Sequence, residues 1–446
     1  MRIHLIAIGG AVMHNMALAL HAVGHQVSGS DDEIFEPSKS RLSRKGLLPE
    51  AFGWFPERIT SELDAVILGM HARADNPELL RAQELGIRVY NFPEYVYEQS
   101  KNSLRVAICG SHGKTSITSM IMHVLKKRQM PFDFLVGAQL EGFDTMVQFS
   151  QAPVTIIEGD EYFASPLDKR PKFLFYHAQV KVISGIAWDH FNVFPTFDNY
   201  VDQFRQLVNQ STENDILIAN ADDDEVITLL DISRPKGKII KYGAPAYKVI
   251  EGSFTLDVDG AHYQFAIFGR HNMQNMEAAK NVCISLGISA HEFYEAMQSF
   301  TGAAKRLEVL KRSSDHIIFR DFAHAPSKVK ATVDAVREQF PDQPLVACLE
   351  LHTFSSLNKD FIAHYHGTMQ AADKRIVYFN PHTLTLKKLP MLSIEEVRSF
   401  FGDKELIVLN DSSSLKSELQ SLNSVNNNIL LMSSGNYDNL DLTFLT

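Results

Sequence analysis

Cysteine is scarce in this chain: Cys109, Cys283 and Cys348 are the only three among 446 residues, and they lie far apart. That excludes a disulfide framework and a paired-cysteine metal site, and it fits a reducing, cytoplasmic compartment. Long apolar runs are also missing. No stretch approaches the roughly 20 residues needed to cross a bilayer, so no membrane insertion is expected. Met1-Arg2 and the apolar residues after it imitate the start of a signal peptide, but His4, His14, Asn15 and His21 interrupt them and Gly9-Gly10 falls where a turn belongs. Positive charge is not in excess either. Lys and Arg number 43 against 53 Asp and Glu, for a net charge of −10, and there is no basic run, so a nucleic-acid partner is not expected. Internal repeats and low-complexity segments are absent. At 45% hydrophobic and 22% charged, the composition is that of an ordinary globular protein with room for two or three domains.

The most informative segment that is present runs from Ala107 to Ser119. A β-branched run ends in Gly110-Ser111-His112-Gly113-Lys114-Thr115-Ser116. Ile117, Met120, Ile121, Val124 and Leu125 follow at helical spacing and form one face. Strand, glycine loop and helix together make a phosphate cradle. The glycines let backbone N–H groups turn inward, and the helix N-terminus adds partial positive charge. Lys114 supplies a cation for the β- and γ-phosphates and Thr115 a hydroxyl for Mg²⁺, so ATP is the expected ligand. The longer form of this loop would have glycine at position 108, where Ile108 stands. The bland alternative is an ordinary strand-to-helix turn.

Three strand–loop–helix blocks are legible. In the first, a strand over Arg2–Ile8 meets the Gly9-Gly10 turn and a helical stripe of Met13, Met16, Ala17 and Leu20 closed by Gly24. A second strand ends at Ser28-Gly29-Ser30-Asp31. A glycine turn with an acid some twenty residues on is the shape of a nucleotide-binding βαβ unit, although the third glycine of a dinucleotide fingerprint is missing. A strand over Ala65–Gly69 and a helix opening at Asn76-Pro77 continue the alternation, and Glu98–Asn102 reads as a linker. The second block holds strands at Val154–Glu158, Lys181–Ile186 and Asp215–Ala219, a helix near Asp198–Asn209 and a hairpin around Asp259-Gly260. The third follows Gly302-Ala-Ala-Lys-Arg306, with strands at Ile317–Arg320, Leu345–Leu351, Arg375–Phe379, Leu406–Leu409 and Ile429–Met432. The fold class is therefore α/β in three domains, 1–102, 103–303 and 304–446, with the third sheet parallel and covered on both faces.

Other polar clusters fall at strand ends, where ligands of open α/β sheets sit. Glu158, Asp160 and Glu161 follow a buried strand. Hard oxygen donors there suit Mg²⁺, with Glu158 first off the strand, or they form only a solvated acidic turn. Asp189-His190 repeats the geometry and offers an imidazole to a second divalent ion, unless His190 is merely structural. Asn272 and Asn275 share a helical face able to read adenine, or Asn272 simply caps the helix. Arg306 follows a hinge-like stretch from which it can clamp phosphates. Asp321 can accept ribose hydroxyls or cap the next helix.

Taken in order, Gly-x-His-Gly-Lys-Thr, Glu-x-Asp-Glu, Asp-His, Gly-x-His-Asn-x-x-Asn, Arg-Leu-Glu and Asp-x-Ala-His-x-Pro make the chain resemble a Mur ligase over nearly its whole length. The resemblance implies a cytoplasmic, ATP-dependent, amide-forming enzyme of peptidoglycan metabolism. It also implies a Rossmann-like UDP-binding domain, a P-loop-type central ATPase domain and a Rossmann-like C-terminal domain that binds the incoming peptide. It gives Lys114, His190 and Arg306 catalytic roles, and Thr115, Glu158 and His190 to Mg²⁺. Gly110 through Ser116, Asn272, Asn275, Arg306 and Asp321 go to ATP. Gly10, Ser30, Asp31, Asn76, Asp160, Glu161, His324 and His352 go to the substrates. The segment Glu158–Phe173, with Asp168-Lys169-Arg170, is most similar to members that join UDP-N-acetylmuramate to the recycled murein tripeptide L-alanyl-γ-D-glutamyl-meso-diaminopimelate. Members that add L-alanine carry Glu-Ser-Asp there. A monomer or weak dimer is expected, with the third domain closing onto ATP.

Three departures from the family keep alternatives open. Ala187 stands where the family often has Glu. No lysine occurs in residues 196–214, where several relatives carry a carbamylated one. Glu350-Leu-His352-Thr-Phe-Ser355 replaces the Glu-Pro-Arg-Ser-Asn-Thr of the tripeptide ligases, and its His-Thr is that of the L-alanine ligases. The alternatives are an L-alanine ligase and a nucleotide-binding regulator without catalysis. A nicotinamide-dependent dehydrogenase rests only on Gly9-Gly10 and Asp31.

Overall fold

The computed structural model describes residues 1–70, 72–140, 142–191, 193–250, 253–302, 306–313, 316–423 and 426–445. The chain divides into two compact units, one of Met1–Ile186, Val201–Tyr242 and Asn281–Gly287, the other of Ala187–Tyr200, Gly243–Lys280 and Ile288–Thr446.

The first unit holds two sheets. β1 (Arg2–Ile6), β2 (Gln26–Ser30), β3 (Ala65–Leu68) and β4 (Val89–Asn91) are parallel in the order β2-β1-β3-β4. β1 stops two residues short of its expected end because Ala7 turns to φ +66°. The expected linker Glu98–Asn102 is instead entered by a helix, Phe92–Ser100, fixed by an Asn91/Glu94 capping box. The second sheet contains β5 (Leu104–Cys109), β6 (Asp133–Leu135), β7 (Val147–Gln148), β8 (Val154–Glu158), β9 (Val180–Ile183), β10 (Ile216–Asn220) and β11 (Lys238–Tyr242). Their order is β11-β10-β9-β5-β8-β6-β7, parallel except for β7. The chain leaves β5 toward β6 and returns to β9 on the other flank. The end of β5 is thus the point where strand order reverses, which is where such sheets bind ligands.

The helix Lys114–Lys127 carries the apolar face expected of it. Ile117, Ile121, Val124 and Leu125 are fully buried and Met120 nearly so. Burial of each such side chain contributes about 1.5–3 kcal/mol, enough to fix the loop at the helix's N-terminus. Lys126 and Lys127 in its last turn complement the helix dipole.

In the second unit, β12 (Lys248–Ile250), β13 (Ser253–Val258) and β14 (Ala261–Phe265) form a small antiparallel sheet that includes the Asp259-Gly260 hairpin. A larger sheet contains β15 (Glu308–Arg312), β16 (Ile317–Asp321), β17 (Leu345–Leu351), β18 (Lys374–Phe379), β19 (Ile407–Leu409) and β20 (Asn428–Met432) in the order β15-β16-β20-β17-β18-β19. It is parallel except at β15, an unforeseen antiparallel edge strand. The expected boundary at 303/304 and most of the hinge-like stretch lie outside the described residues. Among the described residues, no helix is long and apolar enough to cross a membrane. All three cysteines are buried and unpaired, and burial pushes their thiols up, that of Cys348 to about 12.

Candidate functional site

Beyond β5 the backbone does what side chains forbid. Gly110 sits at φ +128°, and a Cβ there would lie 2.9 Å from the Ser184 nitrogen. Gly113, at φ +79°, opens the helix Lys114–Lys127. Ser111 N–H donates to the Gly185 carbonyl at 2.9 Å and Ser184 N–H to that of Cys109 at 3.0 Å, so the loop is stitched to the end of β9. Gly185 leaves room for the His112 ring: a Cβ would come within 2.5 Å of it. Ser116 is buried in the first helical turn.

The two side chains that follow are each answered by a carboxylate. Lys114 Nζ donates to the Gly110 carbonyl at 2.6 Å and to Glu161 Oε2 at 2.7 Å. Burial works against the ammonium, but Glu161 and Asp160 outweigh it and hold Lys114 above the usual lysine range, so it is a permanent cation. Thr115 Oγ1 donates to Glu158 Oε1 at 2.9 Å, and Glu158 Oε2 accepts from Gly137 N–H at 3.0 Å. Asp160 instead accepts from Lys172 Nζ at 2.6 Å. Burial raises that carboxyl, but Lys172 overrides it and keeps the group below its ordinary range. Of the three acids expected at the end of β8, Glu158 therefore meets the threonine, Glu161 the lysine and Asp160 a lysine further along. Glu161 and Asp160, assigned from sequence to substrate, are engaged here as counterions.

The oxygens of Thr115 and Glu158 fit magnesium. Adjacent ligands of an octahedral ion with bonds of about 2.0–2.1 Å lie about 2.9 Å apart, and both donors are hard.

The first sheet shapes a cavity of about 1310 Å³ at the β1 and β3 ends, lined among others by Gly9, Gly10, Asp31, Arg41, Arg73 and Asn76. Gly10 precedes the helix Ala11–Ala22, and Asn76 Oδ1 caps the helix Pro77–Glu84 through the N–H groups of Glu78 and Leu79. Asp31 accepts from Gly9 N–H at 2.7 Å, and burial raises its carboxyl to about 6. Ser30, at the end of β2, is fully buried, with its Oγ 3.5 Å from His4 Nε2. Sequence reasoning missed Asn15 and Arg41. Asn15 Oδ1 accepts from Met146 N–H at 3.0 Å, and Arg41 reaches the Asp144 carbonyl and, at 3.3 Å, Gln139 Oε1. Gln139, Asp144 and Met146 thereby become part of the same wall. No local signal marks such pairs.

The second unit gathers the other candidates. Asp321 accepts from Leu307 and Ala323 N–H, each at 2.7 Å. Burial raises its carboxyl despite Arg306, whose guanidinium lies 5.0 Å over the Phe322 ring. His324 Nδ1 is 2.8 Å from the Phe322 carbonyl. Asn275 is buried, while Asn272 spends its amide N–H on the Phe268 carbonyl at 2.9 Å, so its donor is turned back onto the helix start. His352 Nδ1 lies 3.8 Å from Glu350 Oε1, a buried carboxylate that also accepts from Tyr437 N–H. Asp189 pairs with Lys328 at 2.9 Å and accepts from His190 N–H at 2.8 Å. Burial pushes Asp189 up, but Lys328, then His190 and His324, hold it well below the carboxylate range.

Burial lowers His271 and His324 from 6.5 to about 4, with the charges of Arg306 and Lys328 respectively assisting. Both are neutral in the folded protein at pH 6, where the unfolded chain binds more protons. Stability is therefore expected to be full above pH 6.5 and to fall as pH drops, by about 2 kcal/mol per histidine at pH 5 and about 3 kcal/mol at pH 4. Urea unfolding at pH 7 and pH 5 checks this, and His271→Gln should flatten the acid limb.

A phosphate loop at the strand-order reversal, with its lysine and threonine each matched to a carboxylate, defines a nucleoside-triphosphate-using enzyme on an α/β frame. Residues 2–103 match the family model described as "Mur ligase family, catalytic domain", and residues 108–283 match "Mur ligase middle domain". A UDP-N-acetylmuramate–L-alanine ligase from Caldicellulosiruptor saccharolyticus is 30% identical over 388 residues, covering 84% of this chain and 82% of that protein. Among solved structures, a murein peptide ligase from Psychrobacter arcticus is similar with a TM-score of 0.69 at 22% identity, over 100% of this chain and 98% of that one. A UDP-N-acetylmuramate-alanine ligase from Thermotoga maritima is similar with a TM-score of 0.70 at 21% identity, over 98% and 97%. The chain belongs to the Mur ligase family. It is an ATP-dependent, ADP-forming ligase that makes a carbon–nitrogen bond for the bacterial cell wall, and it acts on small molecules.

Proposed function

We propose that this ligase joins UDP-N-acetylmuramate to the tripeptide L-alanyl-γ-D-glutamyl-meso-diaminopimelate in peptidoglycan recycling, in the cytoplasm and as a monomer or weak dimer. The observation that carries the reading is the segment after β8. Its Glu-Gly-Asp-Glu and Asp-Lys-Arg, the signature on which the tripeptide ligases differ from the L-alanine ligases, are ordered as a unit. Asp160 pairs with Lys172, and Asp168 takes a fork of bonds from Arg170 at 2.7 and 3.1 Å. We divide the chain into a UDP-sugar domain at 1–102, an ATP domain at 103–303 and a peptide domain at 304–446. Gly10, Asp31 and Asn76 are assigned to the sugar nucleotide, and His324 and His352 to the acceptor.

In the mechanism that follows, a lactyl carboxylate oxygen attacks the γ-phosphorus, ADP leaves, and an acyl phosphate remains. The acceptor amine attacks the acyl carbon, phosphate leaves, and the nitrogen loses its proton. Carboxylate and triphosphate repel each other, so catalysis is mainly positioning and charge compensation. Lys114 is the fixed cation for the transferred phosphoryl group. Glu161 and the Gly110 carbonyl keep it aimed at the loop. Thr115 and Glu158 would hold Mg²⁺, which when bound neutralises phosphate charge; His190 is assigned to a second ion. Arg306, Asp321, Asn272 and Asn275 are assigned to the nucleotide.

A second reading, L-alanine as acceptor, is favoured by His352-Thr353 and by relatives named UDP-N-acetylmuramate–L-alanine ligase. Product mass spectrometry with UDP-N-acetylmuramate, ATP and Mg²⁺ separates the two. The tripeptide-linked product is expected, with free L-alanine converted at least about a hundredfold more slowly. The reverse preference overturns the proposal.

A further inference from the structure

The loop that carries Asp189-His190 has no regular structure to satisfy its backbone. Within the second unit, side chains do that work. His190 is a non-glycine residue in the left-handed region, at φ +54°, a conformation that persists only where its surroundings impose it. Its N–H is taken by Asp189 Oδ1 at 2.8 Å, and the other oxygen of the same carboxylate accepts from Lys328 Nζ at 2.9 Å. The next N–H, of Phe191, is taken by Ser355 Oγ at 3.2 Å. Trp188 is held edge-on to Phe361 and His364, with ring centres 5.9 and 5.8 Å away. Lys328 stands on the helix Pro326–Gln339, and Phe361 and His364 follow β17. An ion pair, a hydroxyl and a ring cradle, all from positions beyond 320, thus grip four successive residues.

We infer that Lys328 is a positioning residue for the ligase reaction: through Asp189, and together with the Ser355 hydroxyl and the Phe361–His364 cradle, it sets the backbone from which His190 works. This rests on the reading that His190 serves the nucleotide, but the clamp itself is tested separately. Lys328 touches no reacting atom. A lysine here does for the loop what a bound cation would otherwise do, because its ammonium faces the Asp189 carboxylate that takes the His190 N–H. The arrangement also ties the loop to Ser355, three residues from His352, so a peptide seated on the acceptor segment would feel and steady the same loop.

The chain has two tryptophans, Trp54 and Trp188, so a Trp54→Phe background makes Trp188 the sole reporter. In that background and without ligands, Lys328→Met should shift Trp188 emission to the red and raise acrylamide quenching about twofold. With substrates, kcat should fall about tenfold while KM for UDP-N-acetylmuramate stays within twofold. Lys328→Arg should recover most of both. Ser355→Ala, which leaves the ion pair in place, should give a smaller change in the same direction and covers the case in which Lys328→Met does not fold. Unchanged Trp188 emission and quenching in Lys328→Met, or in Ser355→Ala where the former does not fold, overturns the clamp. Full activity of His190→Ala, with the fluorescence response of Lys328→Met intact, overturns the role of His190 and leaves the clamp standing.

Discussion

Lys114→Ala is expected to lower kcat at least about a hundredfold. The ammonium is a preorganised charge: it is held at 2.6 Å from the Gly110 carbonyl and 2.7 Å from Glu161, with only 16% of its side chain exposed. A single such contact to a developing anion is worth about 3 kcal/mol, which is roughly a hundredfold in rate. The substitution has a second consequence that must be separated from the first. Glu161 is fully buried, and the substitution removes the ammonium 2.7 Å from its carboxylate, at a cost of about 3–5 kcal/mol. The single variant should therefore melt lower as well as turn over slowly. The double variant Lys114→Ala/Glu161→Gln should regain most of the lost Tm and none of the lost kcat. A Lys114→Ala enzyme with near-normal kcat would remove this residue from the chemistry.

Glu158→Gln is expected to produce the next largest effect, mainly in the response to magnesium. The amide keeps the shape of the side chain and an oxygen for Thr115 or Gly137, so the fold should persist. What it loses is the negative charge of a hard ligand beside the Thr115 hydroxyl. Half-saturation by Mg²⁺ should rise by at least about tenfold, and kcat at limiting Mg²⁺ should fall by about 30–100-fold. A metal titration of initial rates checks it. An unchanged magnesium dependence would mean that Glu158 only braces the loop through Thr115 and the Gly137 N–H.

What the sequence made legible, and what it did not, follows from how far apart the cooperating residues lie. The phosphate loop was readable because its whole chemistry sits in consecutive residues: the glycines that must turn, the lysine and threonine that follow, and the helical stripe that anchors them. The strands were readable where apolar runs are strong, as at Val154–Glu158 and Leu345–Leu351. Pairings were not. Asn15 meets Met146 across 131 positions, Lys328 meets Asp189 across 139, and neither leaves a periodic or local signature. The direction of the Ser30 side chain was hidden for a related reason. The strand-end rule gives the place but not which way the side chain turns, and Ser30 faces the buried His4. The linker expected at Glu98–Asn102 failed because polar composition was weighed above the Asn91/Glu94 capping box that carries the helix through Ser100. The edge strand β15 was missed because none of its residues is fully buried and its pairing is set by the neighbouring Ile317–Asp321.

Activation of the sugar acid by phosphoryl transfer underlies the proposed ligase reaction, and the fate of one oxygen tests it directly. UDP-N-acetylmuramate labelled with ¹⁸O in both lactyl carboxylate oxygens is turned over with unlabelled ATP, Mg²⁺ and the tripeptide, and the phosphate is examined by ³¹P NMR. Each inorganic phosphate is expected to carry one ¹⁸O, delivered from the carboxylate through the acyl phosphate. Product formed with wholly unlabelled phosphate would contradict it.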